Sequence, residues 1–264
     1  MINRYIGGSN LKYLNNFINR NKFQPIINYI GEYNDFYDEN KRCIEFFKNK
    51  YIALKLTSLG LPNEKKAFDN SRELCKLAIK NNNKILIDAE NYKNKIIIGD
   101  ISNDLIKEFN INDVHIYKTF QMYYKDSPIS LENQLNTLPN SGIKLVRGAY
   151  LNEDRKFNVL SSSINETHFN YNSGIDVMLD YKKNQTILAT HNDYSCYYAF
   201  KKSKEIDFFN YCQLLGMNDK LSHNLLKENA NVFKYIPYGP YNLCLPYLIR
   251  RLYENIDSVQ YIFK

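Results

Sequence analysis

The sequence has no tryptophan and no cysteine pair spaced C-x-x-C. Its five cysteines, Cys43, Cys75, Cys196, Cys212 and Cys244, are odd in number and scattered. That argues against a disulfide framework or a zinc site and suits a reducing compartment. No apolar run reaches the length of a membrane span. Met1 to Asn10 carry neither a signal-peptide core nor an Arg/Ser-rich presequence, so no import signal is expected there. The histidines, His115, His168, His191 and His223, form no H-x-x-x-H or H-E-x-x-H pattern, and no bound metal is expected. No G-x-G-x-x-G follows an apolar run, which weakens a dinucleotide-binding open sheet. The formal charge of +7 comes without a dense basic block, only pairs such as Lys65–Lys66 and Lys201–Lys202. Such pairs read as solvated helix faces, and no nucleic-acid partner is expected.

What is present is alternation. Eight short apolar or β-branched runs recur: residues 25–33, 51–57, 84–90, 113–123, 143–150, 186–192, 207–216 and 231–240. Helical segments separate them. Residues 64–80 have a start signal in Pro62–Asn63, and Ala67, Ser71, Leu74 and Ala78 then line one face. Residues 168–183, 194–204 and 218–229 read similarly, and a last helix is expected to begin near Pro246. Alternating strands and helices imply a parallel sheet. Eight units within 264 residues imply a single-domain α/β fold, a (βα)8 TIM-like barrel, with a doubly wound open sheet as the alternative. The barrel is expected over residues 25–255. Residues 1–24 precede it, with a lid or packing helix at 9–21.

Functional groups of such a barrel lie at the C-terminal ends of its strands. Here those ends carry Glu32, Lys55, Asp88, Gln121, Lys144 with Arg147, Thr190–His191–Asn192, Gln213 and Tyr235. Buried charges need partners, and a ring of both signs supplies them. In the last helix, Tyr247, Arg250, Arg251 and Glu254 share one face. Two adjacent guanidinium groups suit a carboxylate or phosphate. On the helix alone they read more readily as a basic surface patch with Glu254 as ion-pair partner. Gly148 and Ala149 would let the backbone approach a ligand closely, or simply make a tight turn.

Together these stretches resemble the proline dehydrogenase family. The resemblance is carried by INYIGE (27–32), LKLTSLG (54–60), LIDAE (86–90), FQMYYKD (120–126), KLVRGAY (144–150), ATHN (189–192), QLLGMND (213–219) and KYIPYGPYNLCLPYLIRRLYEN (234–255). These occur in family order, one per strand. The resemblance implies a (βα)8 barrel that holds FAD without a Rossmann fold. It implies oxidation of L-proline to Δ1-pyrroline-5-carboxylate, with electrons passed to a quinone at a membrane surface. For a eukaryotic member it implies the mitochondrial inner membrane. Oligomeric state is left open.

Position by position, the resemblance implies that Arg250 and Arg251 clamp the proline carboxylate, with Lys55 as a third positive contact. Tyr235 and Tyr247 would pack against the ring, and Leu214 or Leu215 would add apolar contact. Glu254 would hold the arginines, and Glu32 would pair with the first of them as a gate. Asp88 and Lys144, with Tyr235, match the catalytic positions. Ala89, Gln121, Arg147, Gly148, Ala149, Thr190 and His191 match the flavin-contacting ones. Lys144 stands where bacterial members carry arginine, and Arg147 where they carry lysine, so charge is kept while fork geometry changes. Hydroxyproline-oxidising relatives have a smaller residue at the position of Tyr235, so a tyrosine there favours proline. Two other readings stay open: a hydroxyproline dehydrogenase, and a degenerate paralogue that binds without catalysing.

Overall fold

The structure is a computed structural model that describes residues 4–181, 184–203 and 208–254, with side chains described as far as Ile249. Along the chain run α1 (Leu11–Asn19), β1 (Gln24–Tyr29), α2 (Tyr37–Phe46), β2 (Tyr51–Leu54), α3 (Glu64–Lys80) and β3 (Lys84–Ile87). Then come α4 (Lys95–Phe109), β4 (Ile116–Gln121), α5 (Ser127–Thr137), β5 (Gly142–Val146), α6 (Leu151–Asp154) and α7 (Ile164–Asp180). The chain continues through β6 (Thr186–Ala189), α8 (Asp193–Ser203), β7 (Phe209–Leu214), α9 (Asp219–Lys227), β8 (Asn231–Tyr238) and α10 (Tyr241–Glu254). The strands pair in parallel in sequence order, and β8 closes on β1 from Gln24↔Phe233 to Tyr29↔Tyr238. This is the closed (βα)8 barrel, not the open sheet.

Each apolar run overlaps one strand, and the strand ends before the run does because the run's polar end has already left the ladder. Helix starts follow capping chemistry. The Asn63 side chain accepts from Lys66 N–H, which opens α3 at Glu64. Ser163 accepts from Glu166 N–H, and Glu166 reaches back to Ser162 N–H, so α7 starts at Ile164 rather than His168. α10 begins at Tyr241, earlier than expected, and Pro246 lies inside it. The turn before it starts the helix: Leu243 and Cys244 both donate to the Pro240 carbonyl. A proline this far inside removes an internal donor, and its ring crowds the carbonyl four residues back.

Strand residues alternate between two environments. Ile26, Ala53, Leu86, Tyr117, Ile187, Cys212 and Phe233 point inward and form the barrel interior. Their neighbours face the helices, as Ile27, Ile52 and Ile85 do on one side of the barrel and Ile143, Leu145 and Leu188 on the other. α1 is a packing helix. Its Leu14 and Ile18 cluster with Ile27 of β1 and Ile236 of β8, covering the outer groove where the barrel closes. That leaves α10 elsewhere. Tyr247 and Cys244 cluster with Ile6 and Ile30, and the Tyr247 ring lies 5.5 Å from Lys55 Nζ, so α10 lies at the C-terminal mouth. All five cysteines are buried free thiols. No helix among the described residues is long and apolar enough to cross a membrane.

Candidate active site

The inward rows that start apolar end charged. On β3, Leu86 is followed two residues later by Asp88. On β8, Phe233 is followed by Tyr235, and Lys144 occupies the inward row of β5. These three meet. Lys144 Nζ donates to Asp88 Oδ1, and Tyr235 O–H donates to Asp88 Oδ2 at 2.5 Å. Lys144 Nζ also lies 5.1 Å from the centroid of the Tyr235 ring. Asp88 and Lys144 are buried, so their attraction is little screened, and each makes the other's burial tolerable.

A second cation sits beside them. Lys55 is buried, donates to Asn28 Oδ1 at 3.0 Å and pairs with Glu32 Oε1 at 3.3 Å. Glu90, two residues past Asp88, accepts from Thr57 N–H at 3.0 Å and from the Thr57 hydroxyl. It thereby fixes the turn that follows Lys55. Burial pushes the Glu90 carboxyl up to about 7; the Thr57 hydrogen bonds oppose this, and Glu32 reinforces it.

A third group lies on the rim from β4 to β6. Arg147 donates to Thr190 Oγ1, to His168 Nδ1 at 3.0 Å and to Ser195 Oγ at 2.9 Å, and lies 4.3 Å over the Tyr171 ring. Gln121 donates to the Glu90 carbonyl at 2.8 Å and accepts from Ala149 N–H at 3.3 Å. Ala89 joins Asp88 to Glu90. Loss of solvent, then the charges of Lys234 and Arg147, push His191 down to about 3, so its ring is neutral near pH 7. Gly148 has φ +136°, and a Cβ there would fall 1.6 Å from the Tyr123 ring. Glycine is therefore required by the protein's own packing, whatever binds nearby.

The structure thus brings together Glu32, Lys55, Asp88, Lys144, Tyr235 and Tyr247 at the mouth. It sets Gln121, Arg147, Gly148, Ala149, Thr190 and His191 along the adjoining rim. The backbone of Arg250, Arg251 and Glu254 belongs to α10, but their side chains lie outside the described residues, as does Asp207 at the start of the seventh run. Gln213 turns away from the mouth, accepting from Ser222 O–H and donating to the Thr190 carbonyl. Leu214 shares the inward row of Cys212, whereas Leu215 packs with Ile236 and Tyr238 in the outer core. Among the described residues no group of His, Cys, Asp and Glu is placed to hold a metal.

The proline dehydrogenase family model matches residues 18–262. The chain belongs to the proline dehydrogenase family. Mitochondrial proline dehydrogenase 1 of Dictyostelium discoideum is 32% identical over 243 residues, covering 80% of this chain and 42% of the relative. Hydroxyproline dehydrogenase of Xenopus laevis is 31% identical over 213 residues, covering 72% of this chain and 46% of the relative. The chain therefore spans less than half the length of these relatives. Among solved structures, proline utilization A from Bdellovibrio bacteriovorus, inactivated by N-propargylglycine, superposes with a TM-score of 0.88 at 16% identity. That match covers 96% of this chain and 32% of the other, a likeness of fold.

Two site residues were missed by sequence reasoning. Glu90 stands in LIDAE, and a second carboxylate two residues after Asp88 was the available signal. Asp154 is fully buried and accepts from Tyr123 O–H at 2.5 Å, Tyr124 O–H at 2.7 Å and Tyr92 N–H at 2.6 Å. It ties the segment after KLVRGAY to the end of β4. Nothing in the local pattern LNEDRK separates it from its exposed neighbours.

Proposed function

We propose that this protein is an FAD-dependent dehydrogenase that oxidises L-proline to Δ1-pyrroline-5-carboxylate. The observation that carries this reading is the Asp88–Lys144–Tyr235 cluster beside Lys55, under α10, in a barrel of the proline dehydrogenase family. The whole chain acts as one barrel unit in this reading. A small zwitterion fits such a mouth, because Lys55 and the arginines of α10 offer positive charge to a carboxylate. Arg250 and Arg251 clamp that carboxylate, with Glu254 steadying them and Glu32 closing beside the first. Tyr235 and Tyr247 flank the ring, and Leu214 gives it an apolar contact. The bond from Tyr235 to Asp88 holds that ring in place while Lys144 keeps the carboxylate oriented.

The rim residues fit a flavin dinucleotide by their donor chemistry. Arg147, fixed by Thr190, offers a cation for phosphate, while Gln121, Ala149 N–H and a neutral His191 offer polar groups without charge. Ala89 and Gly148 complete that surface. Bound FAD would supply the acceptor for the hydride leaving proline C5, chemistry no side chain can perform, and its electrons would pass to a quinone at a membrane surface. Relatives named as mitochondrial support the same compartment. The residue at 235 favours proline over its 4-hydroxy derivative, since tyrosine leaves less room than a smaller side chain.

The protein is expected to be yellow, or to become so with FAD, and its flavin band is expected to bleach when L-proline is added without oxygen. A colourless protein that cannot be loaded with FAD overturns the reading. Arg251→Met is expected to raise KM for proline steeply with flavin still bound; loss of flavin instead would assign the arginine to structure.

A further inference from the structure

We propose that the cavity between α4 and α5, outside the barrel, is a second ligand site, taking a short aliphatic monocarboxylate that pairs with Lys118. The cavity measures about 280 Å³ and is walled by Ile87, Ile98 and Phe120, with Lys118 on the β4 side.

Lys118 breaks the pattern of its strand. It faces the helix layer between Ile116 and Phe120, a row that favours apolar side chains. Its ammonium donates to Asn103 Oδ1 of α4 and Gln134 Oε1 of α5, both at 2.8 Å, which uses two of its three donors. The three buried lysines among the described residues each have a carboxylate: Lys55 has Glu32, Lys144 has Asp88 and Lys234 has Asp219. Among the described residues no carboxylate lies within ion-pair distance of Lys118. The ammonium is half-buried, so it has lost part of its hydration without gaining an ion pair, and open space adjoins it. A ligand carboxylate would supply the missing partner, and its alkyl chain would lie against the isoleucines and Phe120.

The surrounding charges set pH dependence and selectivity. Burial pushes Lys118 down to about 8; Asp100 on α4 holds it up, and Lys95 at the start of α4 pushes it further down. Lys95 is itself paired with Asp126 at 3.2 Å. Glu90 and Tyr124 also line the cavity, and α5 contributes no titratable side chain to its lining. With Asp100 on the wall, and Glu90 becoming charged as pH rises through about 7, a second negative charge on the ligand is disfavoured. Binding needs the protonated lysine, so affinity is expected to fall as pH rises through about 8.

Gly99 supplies a variant that leaves the lysine in place. A Cβ there meets only Lys118 Nζ, at 3.7 Å, an ordinary contact, so Gly99→Leu fills the space without a clash at its first atom. Calorimetric titration of the flavin-loaded protein with butyrate tests the site. Butyrate is expected to bind at pH 7, about tenfold more weakly at pH 9, and more tightly than succinate. Lys118→Met and Gly99→Leu are expected each to abolish binding, and Arg251→Met to leave it intact. Unchanged affinity in both cavity variants, or no fall between pH 7 and pH 9, overturns the proposal. Loss in Arg251→Met overturns it too, since butyrate would then sit at the barrel mouth. The titration needs no turnover, so its failure is separable from failure of the proline reading.

Discussion

The two ends of the barrel interior are built from the same strands and obey opposite rules. At the N-terminal end the filling is aromatic: the Tyr51 ring lies 4.9 Å from Phe233 and 5.9 Å from Tyr117, and Tyr117 O–H donates to Gln185 at 2.5 Å. Two residues further along, Ala53 gives way to Lys55, Leu86 to Asp88 and Phe233 to Tyr235. One end excludes water by packing, which tolerates exchange among residues of similar volume. The other excludes water while holding charges, so each member depends on a particular partner. The mouth therefore buries charges that the packed end does without, at some cost to the fold.

Removing one charge should expose the contrast most strongly. Asp88→Ala leaves Lys144 buried without its carboxylate; a loss of about 3–5 kcal/mol in urea unfolding is expected, together with loss of proline-dependent flavin bleaching. A cost under about 1 kcal/mol would mean that the mouth is wetter than its burial implies. At the opposite end, Phe233→Ala should cost a comparable 3–5 kcal/mol, as a rough range for emptying a buried aromatic site, with KM for proline unchanged. A raised KM would break the separation between the two ends.

A smaller change tests the link between ring and carboxylate. Tyr235→Phe removes one hydrogen bond to a charged group, and about 1.5–3 kcal/mol of stability is expected to go with it. Thermal unfolding would measure this, and no change would mean that solvent replaces the hydroxyl.

A pH-dependent effect concerns Glu90. Its folded-state carboxyl titrates at about 7, above its ordinary 4.5. The folded protein therefore binds the extra proton between these values, and this contribution to stability is complete below pH 4.5 and lost as pH rises through about 7. Glu90→Gln is expected to flatten that decline in melting temperature between pH 5 and pH 8. His191, pushed down to about 3, acts in the opposite sense, adding stability above its ordinary value and losing it as pH falls toward 3. A wild-type profile that rises from pH 6 to pH 8 would show that Glu90 does not dominate.

The eight-strand alternation, the face of α3 and the run of polar residues at strand ends follow from local pattern alone. Period-2 and period-3.6 patterns are local, and a barrel repeats them in order. The Lys144, Tyr235 and Asp88 positions were legible from family motifs, but their grouping around one carboxylate was not. Those bonds join residues 56 and 147 apart in sequence, and no spacing rule reaches that far. That α1 covers the β8–β1 groove while α10 lies at the mouth follows from long-range packing, since both helices are amphipathic and either could pack there. Packing also explains why residue 148 must be glycine: the Tyr123 ring fills the place a side chain would take. Pairing and steric exclusion are properties of the closed barrel, because they arise only once distant strand ends share one buried space.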